Sequence, residues 1–183
     1  MPDVLAIRRA GAALRRLRLA RRGVLVAALA LALGATIAVP PRPRLVWNAS
    51  ASAPLGLYAV AAPASIRAGD TVIAWAPAPY RRLAAARHYL PANVPLVKRV
   101  AAVAGDTVCA RGAAIHVDGH RVATRRPRDG MGRAMPWWTR CETLRDGELL
   151  LLAGSGERSF DGRYFGPSGV EDVVGIAWPL WLA

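Results

Sequence analysis

Lysine is almost missing from this chain of 183 residues: of its 25 basic side chains 24 are arginine, and Lys98 stands alone. Arginine keeps its proton in any protein setting, whereas a desolvated lysine can release it. A chain that uses arginine wherever positive charge suffices therefore marks Lys98 as a candidate for work that demands a neutral amine. Its setting, P-L-V-K-R-V-A-A-V, is a strand-like apolar run. Burial there would lower the ammonium pKa toward the range of a general base.

Histidine is scarce as well. His88, His116 and His120 have no serine or acid partner at motif spacing, which speaks against a Ser-His-Asp triad. Only two cysteines occur, Cys109 and Cys141. A zinc site made from them with His116 and His120 is one reading. However, no compact C-x-x-C or H-x-x-x-H spacing is present, and the two histidines flank an Asp-Gly turn. A single disulfide in an oxidising compartment is the preferred reading, with no metal and no cofactor expected.

Acids are outnumbered too, 12 against 25, for a net charge of +13 and a pI near 11.4. Such a charge first suggests nucleic acid, but its distribution does not. Residues 1–22 hold seven arginines and one acid, Asp3, so +6 sits in a short arm and +7 is spread over the rest. The arm precedes an uncharged run, Gly23 to Val39, closed by Pro40-Pro41. That run is at the short end for a membrane span, and Leu17, Leu19 and Ala20 lengthen it if Arg21 and Arg22 snorkel. The arrangement reads as a topology signal. Residues 1–22 are expected to form a cytoplasmic arm, 23–39 a transmembrane anchor, and 40–183 a domain across the membrane. A cleaved signal is the competing reading, because Thr36-Ile37-Ala38 loosely resembles a cleavage site. The run, though, exceeds an ordinary signal core.

Beyond the anchor the chain has no internal repeat and reads as β-rich. Apolar runs at 71–75, 96–103, 107–109 and 148–152 alternate with Gly-Asp or Asp-Gly turns at 69–70, 105–106 and 146–147. Asp118-Gly119 between 115–117 and 121–123 predicts a hairpin. One short helix is expected over 80–89, and 125–138 reads as a loop carrying Trp137 and Trp138. The fold class is mostly β, an antiparallel domain tethered by one N-terminal helix.

Three blocks carry candidate chemistry. The first, N-A-S-A-S-A-P-L-G-L-Y over 48–58, follows the anchor closely; Pro54 and Gly56 shape its backbone, and Ser52 is a candidate nucleophile. The second holds Lys98, which can activate a serine without histidine. The third, S-F-D-G-R-Y-F-G over 159–166, offers Ser159, Asp161 and Arg163, which share one face if the segment is extended. Ser159 is placed to bond the Lys98 amine, and Asp161 and Arg163 to pair and brace the site.

In this order the blocks resemble the type I signal peptidases, membrane-anchored Ser/Lys endopeptidases with a signal-peptidase-like β domain. The first looks most like the conjugative-transfer, TraF-type branch, N-x-[S/T]-x-S-x-P-x-G-x-Y. The second is similar to K-R-V-x-G-x-x-G-D and the third to S-x-D-S-R-Y-F-G. The resemblance implies Ser52 as nucleophile, Lys98 as general base, and Ser50 as oxyanion donor together with the Ser52 N–H. It also implies Ser159 as the group orienting the lysine, with Asp161 and Arg163 as a supporting pair. Ala53 follows the nucleophile where housekeeping enzymes carry Met, and Gly162 replaces a serine, so one supporting hydrogen bond is expected to be missing.

The implied substrates are exported pre-proteins with small, Ala-x-Ala-like residues before the cut, a conjugative pilin precursor foremost. The implied partners are the inner membrane and other conjugation proteins. A general leader peptidase and a non-catalytic β-rich envelope subunit are the rivals, and a nucleic-acid binder is the weakest option.

Overall fold

A computed structural model describes residues 4–38, 43–50, 52–63, 65–154 and 159–182. Asp3, the Val39–Pro41 stop and the polar pair Glu157 and Arg158 lie outside them. The chain divides into two compact units, residues 1–42 and 43–183.

The described residues of the first unit form one helix, α1 (Val4–Ala38), in which Arg8 to Arg22 of the basic arm and the apolar residues from Gly23 to Ala38 are continuous. Within it Arg15–Ala38, 24 residues of mean hydropathy 1.6, is long and apolar enough to cross a membrane. At 1.5 Å per residue it spans about 36 Å against a hydrocarbon core of about 30 Å.

The second unit is antiparallel β, as the alternating apolar runs require. A seven-stranded sheet has the order β1 (Leu45–Asn48), β2 (Gly56–Ala61), β11 (Val173–Leu182), β3 (Thr71–Ala74), β4 (Leu96–Ala102), β9 (Glu148–Leu152), β10 (Ser168–Gly169). A four-stranded sheet has the order β7 (His120–Thr124), β6 (Ala114–Val117), β5 (Thr107–Arg111), β8 (Cys141–Thr143). Val108, Ala110 and Ile115 of the small sheet share a core with Ala102, Leu150 and Leu152 of the large one. β9 is buried at four consecutive positions, Leu149 to Leu152, so it reads as an unbroken apolar run.

The Asp118-Gly119 hairpin joins β6 to β7, with Asp118 at φ 49° and Gly119 at φ 80°, the two left-handed residues that a type I′ turn requires. Gly56 admits no other residue, because a Cβ there would lie 2.1 Å from the Trp181 carbonyl oxygen on neighbouring β11. Cys109 and Cys141 face each other across β5 and β8 and are joined as a disulfide, which removes both sulfurs from the zinc reading.

The soluble helix, α2 (Ala78–Ala86), starts two residues earlier than expected, behind Pro77 and with Pro79 in its first turn. A larger correction concerns 159–166. This block is not extended, since Gly162–Phe165 forms a single turn, α3, with Asp161 as its N-cap accepting the Arg163 backbone N–H. Alternation of Ser159, Asp161 and Arg163 suited a strand, but the capping carboxylate settles the chain into helix.

Candidate active site

The block 48–58 folds back on itself. β1 runs into Asn48, the chain turns through Ser50 to Pro54, and β2 returns from Gly56 to pair Gly56 with Asn48. Two side chains that sequence reasoning left without a role hold this turn. Asn48, 3 % exposed, donates from Nδ2 to the carbonyls of Ser50, Ala53 and Pro54, each at 3.0 Å. The Tyr58 hydroxyl donates to the Pro54 carbonyl at 2.8 Å. Both were letters of the quoted pattern, at its two ends, and that was the available signal. Ala53, next to the candidate nucleophile, packs against Tyr58, Ile73, Val97 and Ala177. Its small side chain suits that crowded seat.

Ser50 Oγ lies 2.8 Å from Asn48 Oδ1 and 2.9 Å from Ser52 Oγ. Ser52 is half-buried, and its Oγ is also 3.4 Å from the Val97 carbonyl, a weak contact that places it beside the residue preceding Lys98. Lys98 sits in mid-strand on β4, 2 % exposed, and its Nζ donates to Ser159 Oγ at 2.5 Å. Burial lowers its pKa from 10.5 to about 8; the Asp161 charge raises it and the Arg163 charge lowers it by less.

Ser50, Ser52, Lys98 and Ser159 all line one cleft of about 930 Å³. Asp161 and Arg163 stand behind it. They form a buried ion pair, Arg163 Nε to Asp161 Oδ1 at 2.8 Å, with the second carboxylate oxygen accepting from the Ala153 N–H at 2.8 Å and Arg163 reaching the Thr124 carbonyl at 3.0 Å. The pair therefore ties β7, α3 and the residue that follows β9 together beside the lysine. At Gly162 a Cβ would stand 2.8 Å from the Leu151 carbonyl oxygen, so the missing serine corresponds to closer packing of α3 on β9.

The far wall of the cleft comes from 125–138, the segment expected to be a loop. Arg125, 1 % exposed, anchors its start by donating to the Gly112, Trp138 and Arg163 carbonyls with its guanidinium 3.8 Å over the Trp137 ring. At its middle, the Tyr89 hydroxyl donates to Asp129, which also pairs with Arg133 at 2.7 Å. These bonds hold the Asp129 carboxyl well below its ordinary range, the Tyr89 bond foremost. The loop's polar composition concealed this latch, whose partner Tyr89 lies 40 residues earlier.

The cleft brings a lone buried lysine together with two hydroxyl-bearing loops, and comparison with known proteins gives the chain that holds it a family. It belongs to the family described as signal peptidase, peptidase S26, whose model matches residues 16–181. Among curated proteins it is similar to a probable conjugal transfer protein TraF of Sinorhizobium fredii (strain NBRC 101917 / NGR234), 36 % identical over 142 residues covering 71 % of this chain and 73 % of that protein. It also resembles a plasmid transfer protein TraF of Escherichia coli, 33 % identical over 90 residues, 46 % of this chain and 50 % of that one. A solved signal peptidase I from Enterococcus faecalis V583 aligns over 61 % of this chain and 97 % of its own at 19 % identity and a TM-score of 0.35. The family gives the chain a signal-peptidase-type function with a protein substrate. With α1, it gives a membrane or envelope location.

Proposed function

We propose that this chain is a membrane-anchored serine endopeptidase that matures exported pre-proteins, with Ser52 as nucleophile and Lys98 as general base. The observation that carries the reading is the state of Lys98: the one lysine of the protein is buried on the wall of the cleft that also holds Ser52, with Ser159 fixing its amine. With a pKa of about 8, roughly a tenth of the molecules carry the neutral amine at pH 7.

Neutral Lys98 takes the Ser52 proton as Oγ attacks the scissile carbonyl. The oxyanion is held by the Ser52 N–H and the Ser50 hydroxyl, each donor contributing roughly 3 kcal/mol in comparable sites. Lys98, now charged, protonates the leaving amine, and a water activated by the same amine hydrolyses the ester. Asp161 and Arg163 brace the lysine's surroundings without touching substrate.

The similarity to conjugal transfer proteins favours a pilin precursor of a conjugation system as the substrate, cut after small residues. The outer edge of β1 carries no strand partner among the described residues, and β1 leads directly into Ser50. An extended substrate adding to that edge would present alternate side chains to the cleft. The arginine-rich start of α1 supports a cytoplasmic position for residues 1–22 and a periplasmic one for the β domain.

Processing of a pilin precursor by wild type, Ser52→Ala and Lys98→Arg tests the reading. Both variants should lose at least about a thousandfold in kcat, because members of a catalytic unit fail together. Undiminished cleavage by both would sink the dyad. Efficient cleavage of many unrelated pre-proteins would replace the conjugative role with a general leader peptidase.

A further inference from the structure

Asn48 makes five hydrogen bonds beside the two serines. Its partners leave one orientation of the amide. Nδ2 faces three carbonyls, and Oδ1 accepts the Ser50 backbone N–H at 3.1 Å. A turned amide would aim N–H at N–H and oxygen at oxygen. Oδ1 only accepts, so its 2.8 Å contact with Ser50 Oγ uses the single hydroxyl hydrogen of Ser50. The 2.9 Å contact between Ser50 Oγ and Ser52 Oγ then has one polarity left, with Ser52 giving it its single hydrogen in preference to the Val97 carbonyl at 3.4 Å.

We propose that Asn48 is a positioning residue that sets the direction of a hydrogen-bond chain, Ser52 to Ser50 to Asn48, in the resting site, and thereby controls when the Ser50 hydroxyl can serve an oxyanion. The proposal rests on the reading of Ser52 as nucleophile and Ser50 as oxyanion donor. At rest Ser50 offers no hydrogen to a substrate carbonyl. When the Ser52 proton passes to Lys98 Nζ and Oγ bonds to the carbonyl carbon, Ser50 Oγ loses the hydrogen it was accepting. Its own O–H turns from Asn48 to the new oxyanion. Ser50 keeps its proton throughout and none reaches Asn48. Oδ1 stays paired with the Ser50 N–H, so the turn strands no buried acceptor. A donor that becomes available only as the oxyanion forms stabilises the transition state over the ground state.

A double-mutant cycle on the full-length chain in detergent, with a synthetic peptide bearing Ala-x-Ala before the scissile bond, tests this. Asn48→Ala should lower kcat about tenfold or more with KM changed less than about twofold, the signature of an interaction made only in the transition state. In the Ser50→Ala background, where only its hold on the turn is left to lose, the same substitution should cost at least about fivefold less, since coupled residues are non-additive. Ser50→Thr, which keeps the hydroxyl, should restore most of the activity lost in Ser50→Ala. An equal proportional loss from Asn48→Ala in both backgrounds, or no loss at all, would show that Asn48 merely holds the turn and overturn the proposal. Cleavage by Ser52→Ala would instead overturn the reading of the nucleophile. A neutron structure of the deuterated full-length chain reads the same point without turnover. Deuterium on Ser50 Oγ directed at Asn48 Oδ1 is expected, and deuterium directed at Ser52 Oγ contradicts it.

Discussion

Burial, ahead of the opposing fields of Asp161 and Arg163, brings the Lys98 amine from 10.5 to about 8. A base whose folded pKa lies below its unfolded one destabilises the fold while it must be charged. The penalty is full below about pH 8 and is relieved as pH rises from there toward 10.5. Lys98→Met should therefore raise stability at pH 7 by up to about 3 kcal/mol, with the gain fading toward pH 10.5. Denaturant midpoints across that range check it, and a gain independent of pH contradicts it. At Gly162 the account predicts the reverse of a repair. Restoring the serine should destabilise by about 1–3 kcal/mol through overpacking against Leu151, read by thermal unfolding, and a neutral or stabilising result contradicts the close approach. Lys98 and Ser52 were legible in the sequence because one is unique and the other sits in a shaped turn. Asn48 and Tyr58 were not, because their function depends on carbonyls that converge only after β1 and β2 pair.

The elements that hold the site divide the same way. β3, β4 and β9 are apolar runs between Gly-Asp or Asp-Gly turns and read directly as strands. β1 and β11 did not, because they owe their form to partners. β11 lies between β2 and β3, yet it carries Pro179 and a register shift before Trp181. α3 is not legible in the sequence, because polar residues two apart fit a strand face as well as a capped turn. Its cap is also the anion of the buried pair, so Asp161→Ala removes a helix cap and leaves Arg163 charged and unpaired among β9, β7 and the loop. The expected cost is about 3–5 kcal/mol, with loss of a cooperative transition near physiological temperature. Circular dichroism melts measure it, and a change within about 1 kcal/mol, as for a surface pair, would show that the pair is solvated.

At the scale of the molecule, charge and hydropathy are segregated: a basic start and a long apolar stretch in α1, then a β unit whose sheets share one core. The family follows from the order of three blocks across that unit. Neither composition nor the total charge would have indicated it, since a pI near 11.4 suits a nucleic-acid binder equally well. What folding adds is convergence: residues from β1, β4 and the segment before α3, far apart in sequence, line a single cleft. The central claim is that the neutral amine of Lys98 activates Ser52, and the pH dependence of kcat/KM for the full-length protein tests it most directly. The account predicts one ascending limb with an apparent pKa of about 8, and no activity at any pH in Lys98→Arg. A limb between about pH 6 and 7, where histidine titrates, or an unchanged profile in Lys98→Arg, would contradict it.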